Sequence, residues 1–136
     1  MDERQRYEQG MKVRREVLGD AHVDKSLASR NSLNEEFQDL ITRYAWGEIW
    51  NRPGLPRETR SMITLAMMVA LNRTDELKMH LRAALGIGLT KDQIEEVLLQ
   101  TAIYCGVPAA NSAFLAAEEV FAEPGAGKGQ RAPING

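Results

Sequence analysis

Only one cysteine stands among the 136 residues. Alone, Cys105 cannot close an intrachain disulfide or supply a multi-thiolate metal site. A surplus of charge is also missing: 17 Lys and Arg face 19 Asp and Glu, for a net charge of −2. That balance gives no pull toward nucleic acid or anionic lipid. No apolar run approaches the roughly 20 residues needed to span a bilayer; the longest, Met62 to Leu71, is interrupted by Thr64. The N-terminal "MDERQRYEQGMKVRREVLG" is charged throughout and lacks the apolar centre of a signal peptide. No sustained period-2 pattern and no Asn-Gly hairpin between alternating runs occurs, so strands are not expected. Phosphate loops, nucleophile elbows, zinc motifs and dinucleotide fingerprints are absent as well. What remains is 43% hydrophobic and 26% charged, ordinary for a globular chain long enough to bury a core. The expectation is a cytoplasmic protein of one domain, with no nucleic-acid or membrane partner.

Helical punctuation is abundant. Residues 2–18 are charged and helix-prone, with Val13, Val17 and Leu18 as the few apolar contacts. In "SLNEEFQDLITRYAWGEIW", Ser32-x-x-Glu35 matches a capping box, and Phe37, Leu40, Ile41, Tyr44 and Ile49 share a stripe. "NRPGLP" then breaks the helix. "RETRSMITLAMMVALN" is apolar nearly all round from Met62, the pattern of a helix central to a bundle or buried between subunits. Thr74 reads as the N-cap of a helix from Asp75 to Leu85, which "GIG" closes. "TKDQ" is a second capping box, opening a helix with Ile94, Val97, Leu98, Thr101 and Ala102 inward. Gly106 stops it, and Pro108 fits the first turn of the last helix. The pattern predicts an all-α bundle of about six helices over residues 1–123. The tail 124–136, "PGAGKGQRAPING", is too poor in apolar side chains to order itself and is expected to be flexible.

Few residues carry chemistry. There are two histidines, His22 and His80; His22 lies in "GDAHVDKS", read as irregular, with the ring solvated or bound to a backbone carbonyl. Glu76 and His80 are four apart in "DELKMH", about one helical turn, so they share a face. They could be an acid/base pair. They could equally be helix decoration, since Asp75 and Glu76 suit the positive end of the helix dipole. Arg57, Arg60 and Arg82 could be helix-end residues whose stems cover apolar surface, or bidentate anchors for a dicarboxylate. Cys105 reads as a buried, inert thiol, and Tyr104, Trp46 and Trp50 as core or interface aromatics.

The runs "WGEIWNRPGLPRETRSMITLAMMVAL" and "ELKMHLRAALGIGLTKDQIEEVLLQTAIYCGVPAAN" carry the ordered series Glu76, His80, Arg82, Gly88, Thr90, Glu95, Leu98 and Tyr104-x-Gly106-x-Pro108. On these residues the chain, from about Trp46 to Ala122, resembles the carboxymuconolactone decarboxylase family. Residues 1–45 also resemble the N-terminal helices of the family's stand-alone bacterial enzymes. The resemblance implies an all-α, alkylhydroperoxidase D-like fold and homo-oligomers, typically hexamers. The redox branch of that fold keeps C-x-x-C where this chain has Glu76-x-x-Met79, so thiol-based peroxide reduction is not expected. The implied substrate is a small lactone dicarboxylate, 4-carboxymuconolactone, converted without metal or organic cofactor to 3-oxoadipate enol-lactone and CO2. This is a step of protocatechuate catabolism in the β-ketoadipate pathway. In that scheme His80 donates a proton to the α-carbon or a hydrogen bond to the lactone oxygen, and Glu76 orients it. Arg57, Arg60 or Arg82 clamps carboxylates, and Tyr104 adds a hydroxyl donor. Two alternatives stay open: a cofactor-free enzyme of the same fold acting on another lactone or acid, or a non-catalytic oligomerisation module.

Overall fold

The computed structural model describes residues 1–126; positions 127–136, and with them most of the expected tail, lie outside the described residues. Among the described residues there are seven α-helices and one π-helix and no strand. The described chain is thus all-α, with eight helical segments where roughly six were expected. No described helix is long and apolar enough to cross a membrane. The chain forms two compact units, divided after Arg57.

In the first unit, α1 (Glu3–Leu18) opens on a capping box: Asp2 Oδ1 accepts from the Gln5 amide at 2.8 Å, and Gln5 Oε1 accepts from the Asp2 amide at 3.0 Å. Gly19, at φ +88°, turns the chain into α2 (Asp20–Ala28). This nine-residue helix replaces the irregular stretch expected around His22, which is half-buried on it beside fully buried Val23. The capping box expected at Ser32 does not form. Instead the Asn31 side-chain oxygen accepts from the amides of Leu33 and Asn34, at 2.9 and 3.0 Å, and α3 begins at Glu35 (Glu35–Leu40).

From α3 the chain runs directly into a π-helix, Ile41–Ile49, whose wider turn shows where the Trp50 amide reaches Ala45 O, five residues back, at 2.8 Å. The extra residue per turn rotates the buried face. Gln38, Thr42, Trp46 and Gly47 point inward, while Phe37, Leu40, Tyr44 and Ile49 of the expected stripe are exposed. Inward-facing Gly47 lets α1 come close. A Cβ on Gly10 would lie 1.9 Å from Thr42 O, and one on Gly47 would lie 2.5 Å from Arg6 O. Beneath the crossing Arg14 donates to Thr42 Oγ1 at 3.2 Å, and burial holds its guanidinium below the ordinary arginine value. Val13, Val17 and Trp46 make this unit's small core, with Trp50 against Trp46 at 5.0 Å between ring centroids.

The second unit contains α4 (Arg57–Ala70, from Glu58 onward), α5 (Thr74–Gly86), α6 (Lys91–Tyr104) and α7 (Val107–Phe121). Leu65, Leu81, Leu89, Ile94, Leu98 and Val120 are its fully buried centre. Alanines at 110, 113, 116 and 117 line the inner side of α7 and leave room for the leucines of α5 and α6. The second capping box forms as expected: Thr90 Oγ1 accepts from the Gln93 amide at 3.0 Å, and Gln93 Oε1 from the Thr90 amide at 2.9 Å. Gly88 and Gly106, at φ +107° and +98°, take the two turns on either side of α6, and Pro108 sits in the first turn of α7. Two local expectations differ. Thr74 is the first residue of α5 and Arg73 occupies the cap position, with no side-chain cap. In addition, α4 buries one stripe, Ser61, Leu65 and Val69, and leaves Met67 exposed. After α7 the chain turns at Pro124, and Ala126 packs against the core.

Candidate active site

The sequence candidates gather on α5. Its buried stripe is Leu77, Leu81, Ala84 and Leu85, and Glu76 and His80 lie one turn apart beside it, each half-buried. Glu76 is held on its other side by Arg73, whose Nη2 donates to Glu76 Oε1 at 2.6 Å. The Glu76 carboxyl accordingly stays below its ordinary range. The Arg73 hydrogen bond is the largest cause, followed by a bond from the residue's own amide in the first helical turn, and the charge of His80 acts in the same direction. Reciprocally, Glu76 raises the Arg73 guanidinium. The stripe is therefore a cation, an ionised carboxylate and an imidazole in sequence. A carboxylate beside an imidazole fixes the ring's orientation and favours its protonated form, which is what proton donation near neutrality requires.

Arg73 was not singled out by sequence. Its signal was the spacing of three residues to Glu76, in a stretch read only as a helix break. Arg82 is two residues beyond His80, about 200° around the helix, so it faces elsewhere. It forks onto Glu123 with Nε at 2.9 and 3.1 Å from the two carboxylate oxygens and Nη2 at 2.8 Å from Oε2. The bidentate pair raises Arg82 and lowers Glu123 and borders a cavity of about 310 Å³. Arg57, in the first unit, is ion-paired with Glu16. Arg60 is half-buried on α4. Tyr104 is 83% exposed at the end of α6 and lines a groove of about 370 Å³ with Met62, Ile63, Ala66 and Val97. Cys105 borders the same groove and is half-buried rather than buried. Among the described residues no group of three or more His, Cys, Asp or Glu is placed to hold a metal ion.

Residues 35–119 match the model of the carboxymuconolactone decarboxylase family. The chain belongs to that family. The matched span contains Arg57, Arg60, Glu76, His80, Arg82 and Tyr104. Among carboxymuconolactone decarboxylase relatives, a 4-carboxymuconolactone decarboxylase of Acinetobacter baylyi is 54% identical over 125 residues, 92% of this chain and 93% of the relative. A 48-residue 4-carboxymuconolactone decarboxylase sequence of Pseudomonas putida is 62% identical over its whole length, 35% of this chain. A nitrosuccinic acid decarboxylase of Metarhizium robertsii is 37% identical over 87% of this chain and 82% of its own length.

Proposed function

We propose that this chain is a carboxy-lyase that converts 4-carboxymuconolactone to 3-oxoadipate enol-lactone and CO2, in protocatechuate catabolism. The identity of 54% across nearly the full length of both chains carries this reading. The substrate explains how the reaction proceeds without a borrowed electron sink. Its departing carboxylate sits on the ring carbon γ to the unsaturated lactone carbonyl. As the C–CO2 bond breaks, its electron pair moves through the ring double bond onto the carbonyl oxygen, giving a dienolate. Protonation of the α-carbon completes the enol-lactone.

The protein has to place the carboxylates, stabilise the developing oxyanion and deliver one proton. His80 donates the proton to the α-carbon or a hydrogen bond to the lactone oxygen. Glu76, ionised and one turn away, orients the ring; their shared face and the lowered Glu76 carboxyl support this assignment. Arg57, Arg60 or Arg82 clamps carboxylates; Glu16 holds Arg57 and Glu123 holds Arg82, so a substrate carboxylate has to displace whichever of these it meets. The departing carboxylate is held loosely, because a tight ion pair would stabilise the ground state. Tyr104 adds its hydroxyl.

The chain works as a homo-oligomer, a hexamer in the family's manner. Supporting this, Ile103, Tyr104 and Val107 are 79, 83 and 71% exposed in the single chain, an apolar patch of the kind that assembly covers. The single free cysteine suits a cytoplasmic setting. Purified protein given 4-carboxymuconolactone should release one CO2 per lactone consumed. A second reading comes from the 37% relative, a decarboxylase of a different acid. Turnover of nitrosuccinic acid, with 4-carboxymuconolactone left untouched, would move the assignment to it.

A further inference from the structure

Resting on the reading of Glu76 and His80 given above, we infer that Arg73 is a positioning residue: it grips Glu76 Oε1 and turns Oε2 toward the imidazole of His80. Three observations carry this. Arg73 Nη2 lies 2.6 Å from Glu76 Oε1, a short charge-assisted bond. The Arg73 main chain is anchored where the chain enters α5, because its amide donates to Met68 O at 2.9 Å and the Leu77 amide donates to Arg73 O at 2.8 Å. That fixes its backbone relative to the first turn. The spacing 73, 76, 80 then runs down one side of the helix, so the carboxylate lies between a permanent cation and an imidazole.

The charged groups acting on Glu76 are Arg73 and His80; Asp75 acts on Arg73. Around the start of α5 the neighbouring helices contribute Met68, Val69, Ala109, Ser112 and Ala113, all uncharged. Glu119 and Glu123, at the far end of α7, are held by Lys78 and Arg82.

The consequence is directional. A carboxylate already shared with arginine is a weaker base toward the imidazole, so Arg73 tunes His80 downward while keeping Glu76 ionised into more acid solution. Removing Arg73 does two things of the same sign. Glu76 loses its cation and protonates at higher pH, and His80 escapes a nearby positive charge and keeps its proton to higher pH. Both limbs of the pH–rate profile therefore move up in Arg73→Ala. At neutral pH kcat changes only a few-fold, because the pair is half-exposed and screened.

The experiment compares wild type, Arg73→Ala, Arg73→Gln and Arg73→Lys in pH–rate profiles on 4-carboxymuconolactone and in imidazole NMR titrations. The chain has two histidines, so a His22→Gln variant assigns the signals. The expected result is upward movement of both limbs and of the His80 midpoint in the Ala and Gln variants. The His22 midpoint stays fixed, and Lys restores part of the shift. Active, folded Ala and Gln variants with unmoved limbs and an unmoved His80 midpoint would overturn the inference and make Arg73 a surface ion pair. An inert wild type would defeat the decarboxylase reading instead, and the NMR midpoint would still decide whether Arg73 acts on His80.

Discussion

Replacing Gly10 by alanine probes the crossing of α1 with the π-helix. The added Cβ would sit 1.9 Å from Thr42 O and 2.9 Å from its carbonyl carbon. Ordinary carbon–oxygen contact begins above about 3 Å, so one helix must retreat by roughly 1 Å or more. The obstacle is backbone, which cannot rotate out of the way as a side-chain tip would. Retreat also pulls on the buried Arg14 to Thr42 hydrogen bond, 3.2 Å long, and on Trp46, 6% exposed beside it. Overpacking of this kind costs about 3 kcal/mol or more. Alanine returns about 1 kcal/mol through its helix propensity. The net expectation is a loss of about 2 kcal/mol or more, a fall in Tm of at least about 6 °C for a chain of this length. Gly86→Ala is the internal control. Gly86 also lies in a helix, as the last residue of α5, but its Cβ would meet nothing within 4 Å, so the propensity gain should stand alone and Tm should hold or rise. Thermal unfolding followed by far-UV circular dichroism, at one fixed protein concentration, reads both. A Gly10→Ala protein as stable as wild type would refute the close crossing.

Thr90→Ala removes one half of a complete capping box and should cost about 1 kcal/mol in urea unfolding; no loss would mean that the cap does not stabilise α6. Glu76 and Glu123 are both held below the ordinary carboxylate range, by Arg73 and Arg82 respectively. Their stabilisation is complete above that range and is lost as pH falls through the lowered folded values. Wild type should thus lose more stability between neutral and acid pH than Arg82→Ala does, and equal losses would contradict the pairing. Glu76→Gln should lower kcat less than removal of His80 does and should shift the pH–rate profile; an unchanged profile would return Glu76 to helix decoration.

Much of the second unit was legible because its signals are local. The Thr90 box, the glycines at 88 and 106 and Pro108 each act within four residues, and each took the expected place. The first unit was harder. A nine-residue helix with Val23 as its one buried residue gives too little periodicity to be seen. The π-helix breaks the 3.6-residue period on which stripe reading depends, so the stripe through Phe37 and Tyr44 is not the buried face and both residues are exposed. Its clues were Gly10 and Gly47, small residues whose meeting is a tertiary fact. At the site, Glu76 and His80 could be read from their spacing. The engagement of Arg82 by Glu123 and of Arg57 by Glu16, each 41 residues away in sequence, could not.

Whether His80 serves a decarboxylation of 4-carboxymuconolactone is decided by one paired measurement. CO2 release from that lactone should be rapid with wild-type protein. It should fall by on the order of 10²–10⁴ in kcat with His80→Ala, the range expected when a positioned general acid is removed. A His80→Ala enzyme that releases CO2 at close to the wild-type kcat would contradict the account.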